Sequence, residues 1–92
     1  MEKIIYCLKD VVNNNNMYYG TLDEVIGRLR FVLNAESNYN FKNNKLNSYA
    51  VIKYDDNYEA LQVSRPLCVG VWRFLTNDER NDLIQDIRKD VE

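Results

Sequence analysis

An α+β fold in the order α-α-β-β-β-α is what the sequence predicts: a three-stranded antiparallel meander packed against helices. Three observations point to it. Two capping boxes, Thr21-Leu22-Asp23-Glu24 and Thr76-Asn77-Asp78-Glu79, each open a stretch whose apolar residues recur at helical spacing. Between them, the residues on either side of Asp56-Asn57 alternate with the two-residue period of a hairpin.

The first element is ambiguous. Residues 2–12 set Ile4, Ile5, Cys7, Leu8, Val11 and Val12 on one helical face, whereas their β-branched content favours a strand. A helix is expected, ended by Asn13 to Asn16, since asparagine tolerates the left-handed cap conformation. The strand alternative gives the order β-α-β-β-β-α. The next helix starts at its capping box and buries Leu22, Val25, Ile26, Leu29, Val32 and Leu33, running through Asn34. Gly27 and Phe31 fall on the opposite side, which predicts a second contact there, within the fold or at a homodimer interface.

Residues 35–48 are polar and asparagine-rich and read as a loop, with Tyr39 and Phe41 as anchors. In the hairpin, a two-residue Asp56-Asn57 turn pairs Ile52 with Leu61 and Ala50 with Val63 on an apolar face. Tyr49, Val51 and Lys53 then lie on a mixed face. Arg65-Pro66-Leu67 turns the chain, Cys68 to Phe74 forms a third strand with Gly70 as a bulge, and the last helix buries Leu83, Ile84, Ile87 and Val91.

The 92 residues read as one domain, 1–92, and 46% hydrophobic against 28% charged residues suits a folded globule. The apolar runs are far shorter than the ~20 residues a membrane-spanning helix needs, and the first residues lack the shape of a signal peptide, so the cytoplasm is the expected compartment. Cys7 and Cys68 read as free, buried thiols.

Catalysis is not expected. There is no histidine, which removes the commonest general base and the commonest metal ligand. The cysteines lack metal-binding spacing, and the glycines Gly20, Gly27 and Gly70 form no phosphate loop, so neither a metal nor a cofactor is expected. Asp55, Asp56 and Glu59 cluster at the hairpin, but Asp-Asp-Asn is also what a tight turn prefers for backbone reasons.

One charge pattern asks for more. Asp78, Asp82, Asp86 and Asp90 recur at every fourth position of the last helix, with Glu79 beside the first. That spacing ranks them along one edge about 6 Å apart in rise. Like charges so placed repel by ~0.2–0.5 kcal/mol per pair, roughly 1 kcal/mol for the row. A row of carboxylates at that interval resembles the phosphate repeat of a nucleic-acid strand. It suits docking onto a basic, nucleic-acid-binding surface of a host protein. Seven tyrosines add interface material, with Tyr54 and Tyr58 on the hairpin beside Asp55 and Asp56. Abundant Asn, Lys, Tyr and Ile reflect AT-rich codons, common in phages and mobile elements. The resulting expectation is a non-catalytic inhibitor or regulator of that origin, acting through the acidic helix and the aromatic hairpin.

The alternative is direct binding of single-stranded nucleic acid by a sheet carrying Lys53, Arg65, Arg73, Tyr49 and Trp72, with Lys42 and Lys45 nearby. A net charge of −2 weighs against it.

Overall fold

A computed structural model describes residues 3–39 and 47–92, and side chains except those of residues 37–39. The chain is α+β, but it begins with strands. Its elements are β1 (Ile5–Asp10), β2 (Asn15–Gly20), α1 (Leu22–Tyr39), β3 (Ser48–Tyr54), β4 (Ala60–Val63), β5 (Leu67–Cys68), α2 (Val69–Arg73) and α3 (Asn77–Val91).

Segment 5–10 is a strand, not the expected helix, because it lies inside the sheet. β1 pairs antiparallel with β2 on one side and β3 on the other, giving the order β2-β1-β3-β4. Both Cys7 and Leu8, on opposite faces, are therefore fully buried. Apolar residues at consecutive positions imitate a helical stripe, but here they mark burial on both sides.

The asparagine run does not end a helix either. Val11 to Asn14 form the turn of a β1–β2 hairpin, and Asn15 and Asn16 begin β2, a strand the sequence reading did not anticipate. Asp10 organises the turn, its carboxylate accepting from the Asn13 backbone N–H (3.2 Å) and the Asn13 side-chain amide (2.8 Å). Asn14 takes the left-handed conformation (φ 51°).

Both capping boxes form. At Thr21, the backbone N–H donates to Glu24 and the hydroxyl accepts from the Glu24 N–H, each at 3.2 Å. Thr76 and Glu79 repeat the arrangement at the start of α3. Such caps contribute about 1 kcal/mol each. α1 continues to Tyr39, past the expected end at Asn34, so the first residues of the expected loop are helical. Its Glu36 accepts a 2.6 Å hydrogen bond from the Tyr49 hydroxyl and another from the Asn47 side chain. Phe41, Lys42 and Lys45 lie outside the described residues, as does the Tyr39 side chain.

The β3–β4 hairpin turns at Asp56-Asn57 but through a three-residue loop that includes Tyr58, not the expected two-residue turn, and it pairs differently. Ile52 lies opposite Val63, not Leu61, and an irregularity between Lys53 and Tyr54 accompanies the shift. The faces are also exchanged. Tyr49 and Val51 join Leu8 and Leu67 in the main core under the helices, while Ile52 and Ala50 face the other way. Beyond β4, Ser64 takes over the pairing with Val51, through its N–H to the Val51 carbonyl (2.8 Å) and its hydroxyl from the Val51 N–H (2.8 Å). Leu67–Cys68 then rejoin β3. The expected third strand is only this pair: Val69–Arg73 coil into α2, and Gly70 lies in that helix, not in a bulge.

The core residues of α1, α2 and α3 belong to one cluster with Leu8, Tyr49 and Val51. By register, the other face of the sheet carries Ile5, Cys7, Lys9, Tyr19, Ala50, Ile52, Tyr54 and Val63. The helices line one side of the sheet.

A candidate partner-binding groove

The residues expected to bind a partner divide between the two sides. Asp78, Glu79, Asp82, Asp86 and Asp90 lie on α3, on the helix side. Tyr54 and its hairpin lie on the open side. The structure does not bring the two sets together.

On α3, each carboxylate has a distinct environment. Glu79 is taken up by the capping box. Asp78, in the first turn, suits the helix dipole. Asp90 sits 3.4 Å from Arg65 and Asp86 4.0 Å from the same guanidinium. The Arg65 side chain is 74% exposed. Exposed pairs contribute ~0–1 kcal/mol, about what the row of repulsions costs. Arg65 thus offsets the repulsion locally. Among the described residues, Asp82 and Asp78 make no ion pair. Arg88 turns away to Asp23 on α1 at 2.7 Å.

What the sequence did not reveal is the neighbour of this row. Two adjoining concavities of about 280 Å³ each run between α2, the 65–68 segment and α3. Val71, Leu83 and Asp86 line both. Leu67 and Ile87 extend the apolar floor at one end and Leu75 at the other, while Asp82, Asp86 and Asp90 stand along it. Val71 is 52% exposed although it is apolar and central. The row is therefore the wall of an apolar groove. Had α2 been recognised as a helix, Val71 would have appeared on its exposed face, opposite the buried Val69 and Trp72.

The nucleic-acid alternative fares differently. Tyr49 is buried, and burial together with the hydrogen bond to Glu36 pushes its hydroxyl well above the usual tyrosine range. Trp72 is buried too, donating to Asn34 at 2.9 Å, with the Arg80 guanidinium 5.1 Å from its ring. Neither ring is available to stack on a base. Lys53 shares the face of Tyr49 and Val51, Arg73 lies on α2 with its guanidinium 4.8 Å from the Phe74 ring, and Arg65 faces α3. These five residues do not form a platform.

On the open side, Tyr19, Tyr54 and Tyr58 form a ring cluster with centroids 6.0–6.4 Å apart. Tyr19 joins them from β2, a strand the sequence does not announce. Asp55 builds the adjoining turn, its carboxylate accepting from the Asn57 and Glu59 N–H groups at 2.8 and 3.0 Å. Asp56 and Glu59 remain exposed beside Tyr58. Phe31 is exposed on α1 under the Arg28 guanidinium, 5.5 Å from its centroid, and a Cβ at Gly27 would meet nothing within 4 Å.

Among the described residues, no group of three His, Cys, Asp or Glu side chains could hold a metal ion, and no helix is long and apolar enough to cross a membrane. No family model, curated protein or solved structure matches the chain significantly.

Proposed function

We propose that this chain is a non-catalytic binding protein whose α2–α3 groove seats a basic segment of a protein partner. The supporting observation is the conjunction of an apolar floor, the exposed Val71 with the half-buried Leu75 and Leu83, and Asp82 and Asp86 along its wall. An amphipathic partner helix presents the complement: apolar side chains for the floor, lysine or arginine for the wall. Where that partner surface normally holds nucleic acid, occupying it excludes the nucleic acid by competition. This is the action expected of an inhibitor or regulator from a phage or mobile element.

Fluorescence anisotropy with a labelled peptide, lysine-rich on one helical face and leucine-rich on the other, tests the proposal. Binding that weakens with added salt is expected, with none to a peptide of the same composition in scrambled order or to single-stranded oligonucleotides. Changing Asp82→Asn and Asp86→Asn together lowers peptide affinity roughly tenfold, since each lost exposed pair contributes up to ~1 kcal/mol. Unchanged affinity in the double variant, or binding of the oligonucleotide instead, overturns it.

A further inference from the structure

The sheet face away from the helices has the makings of a second surface, independent of the groove. By register it is arranged in rows. Tyr54 sits opposite Ile5 at one end, Tyr19, Cys7, Ile52 and Val63 form the middle, and Lys9 opposite Ala50 forms the other end. From the first end to the middle row, Tyr54, Tyr58 and Tyr19 pack ring against ring, with Cys7 fully buried in the middle row. The last end is cationic: Lys9 stands beside Ala50, which is already buried within the chain. The exposed acids Asp56 and Glu59 flank Tyr58 at the tyrosine end, where Lys3 and Glu24 also line a concavity with Tyr19 and Tyr58, leaving the end net acidic. Lys9 makes no ion pair among the described residues. Val63 (57% exposed) and Tyr58 (61%) remain open to solvent beside this face.

A surface that carries acids at one end and a lysine at the other complements itself in charge when turned end for end. We infer that the face binds a second copy of the chain. A two-fold axis lying between the sheets, across the strands at the Cys7–Ile52 row, places each Lys9 over the tyrosine cluster of its partner. Lys9 and Tyr54 lie four residues apart along the strands, about 13 Å, so two sheets stacked ~10 Å apart bring the exchanged ends within side-chain reach. An ammonium over tyrosine rings is favourable, the more so once water is excluded, and neighbouring carboxylates add to it. The interface is isologous, each contact made twice.

Tyr58 is the most telling member of the cluster. Its backbone is left-handed (φ 59°), a conformation that bulky residues rarely adopt and glycine adopts freely. A ring held there against backbone preference, and left exposed, fits an interface better than it fits the turn.

Sedimentation equilibrium over a wide concentration range tests the inference. The unaltered protein is expected to be a dimer. Lys9→Glu sets like charges together and Tyr58→Gly removes a ring while relieving the turn, so each should weaken dimerisation at least ~tenfold with folding intact by circular dichroism. Phe31→Ser, which alters the other exposed aromatic face, should leave the dimer unchanged. Binding of the basic peptide to the groove should persist in all three variants, which separates this surface from the proposed function. A monomer at every concentration overturns the inference, as does a dimer that dissociates in Phe31→Ser but not in Tyr58→Gly.

Discussion

The two hairpins solve the same geometric problem with different residues. Each turn needs one residue in the left-handed region: Asn14 between β1 and β2, Tyr58 between β3 and β4. Asparagine enters that region readily, whereas an ordinary L-residue there costs ~1–2 kcal/mol. At the second turn the backbone is otherwise well made. Tyr58 N–H donates to the Asp55 carbonyl at 3.1 Å and Asp55 N–H to the Glu59 carbonyl at 3.0 Å, closing a three-residue loop that usually carries glycine at this position. The first turn follows the preferences of the backbone, and the second departs from them at one residue whose ring joins a surface cluster. Local rules are obeyed where only folding is at stake and broken where a surface is displayed.

The comparison extends to the faces these hairpins present, where the largest effects are expected. Leu8 is fully buried against the helices, and Leu61 is 49% exposed in β4. Urea denaturation should show Leu8→Ala losing about 2–5 kcal/mol, because the cavity it leaves cannot close, and Leu61→Ala losing less than ~0.5 kcal/mol. Comparable losses at both positions would mean that the β4 edge is part of the folding core, and the contrast between the sheet's centre and its edge would fail.

An intermediate effect sharpens the contrast between the turns themselves. Asn14→Val puts a β-branched side chain into the left-handed region and should cost about 1–2 kcal/mol in the same assay. Tyr58→Gly should change stability by less than ~1 kcal/mol, since relief of the backbone offsets the lost ring contacts. If Tyr58→Gly is as damaging as Asn14→Val, the ring is there for stability and the turns do not differ in purpose.

How much of this was legible follows from where the information lies. The capping boxes at Thr21 and Thr76 are written in four consecutive residues and formed as read. The position of the turn at Asp56-Asn57 is equally local, but its third loop residue, Tyr58, is not signalled there. β1 is legible only as the alternative to a helix, because a strand buried on both faces has no alternation to show: Cys7 and Leu8 are both inaccessible. α2 was read as a strand because Val69, Val71 and Trp72 have strand-like side chains, while its helical form buries Val69 and Trp72 three positions apart. The faces of β3 are exchanged because Ala50, Ile52, Leu61 and Val63 form the more apolar set, whereas the buried face carries Tyr49, whose hydroxyl finds its partner in Glu36, thirteen residues away in sequence. The aspartate row was visible from the start. The groove that gives it an apolar neighbour depends on α2 and could not be seen without it.

The smallest expected change in stability concerns that row, and it separates two meanings of one ion pair. Arg65 reaches Asp90 at 3.4 Å and Asp86 at 4.0 Å from a largely solvated position. As a structural contact it contributes little, so Arg65→Ala should shift the unfolding midpoint by no more than ~0.5 kcal/mol. As a cation already standing on the groove wall, however, it competes for the carboxylates that a partner's lysine or arginine would meet. Removing it frees both aspartates and adds one unit of negative charge to the surface, so the affinity of the basic peptide should rise several-fold, most clearly at low salt. A stability loss well beyond that limit would make Arg65 a strut of the α3 packing. A fall in peptide affinity with stability unchanged would instead make Arg65 part of the contact surface, and the wall would be mixed in charge instead of acidic.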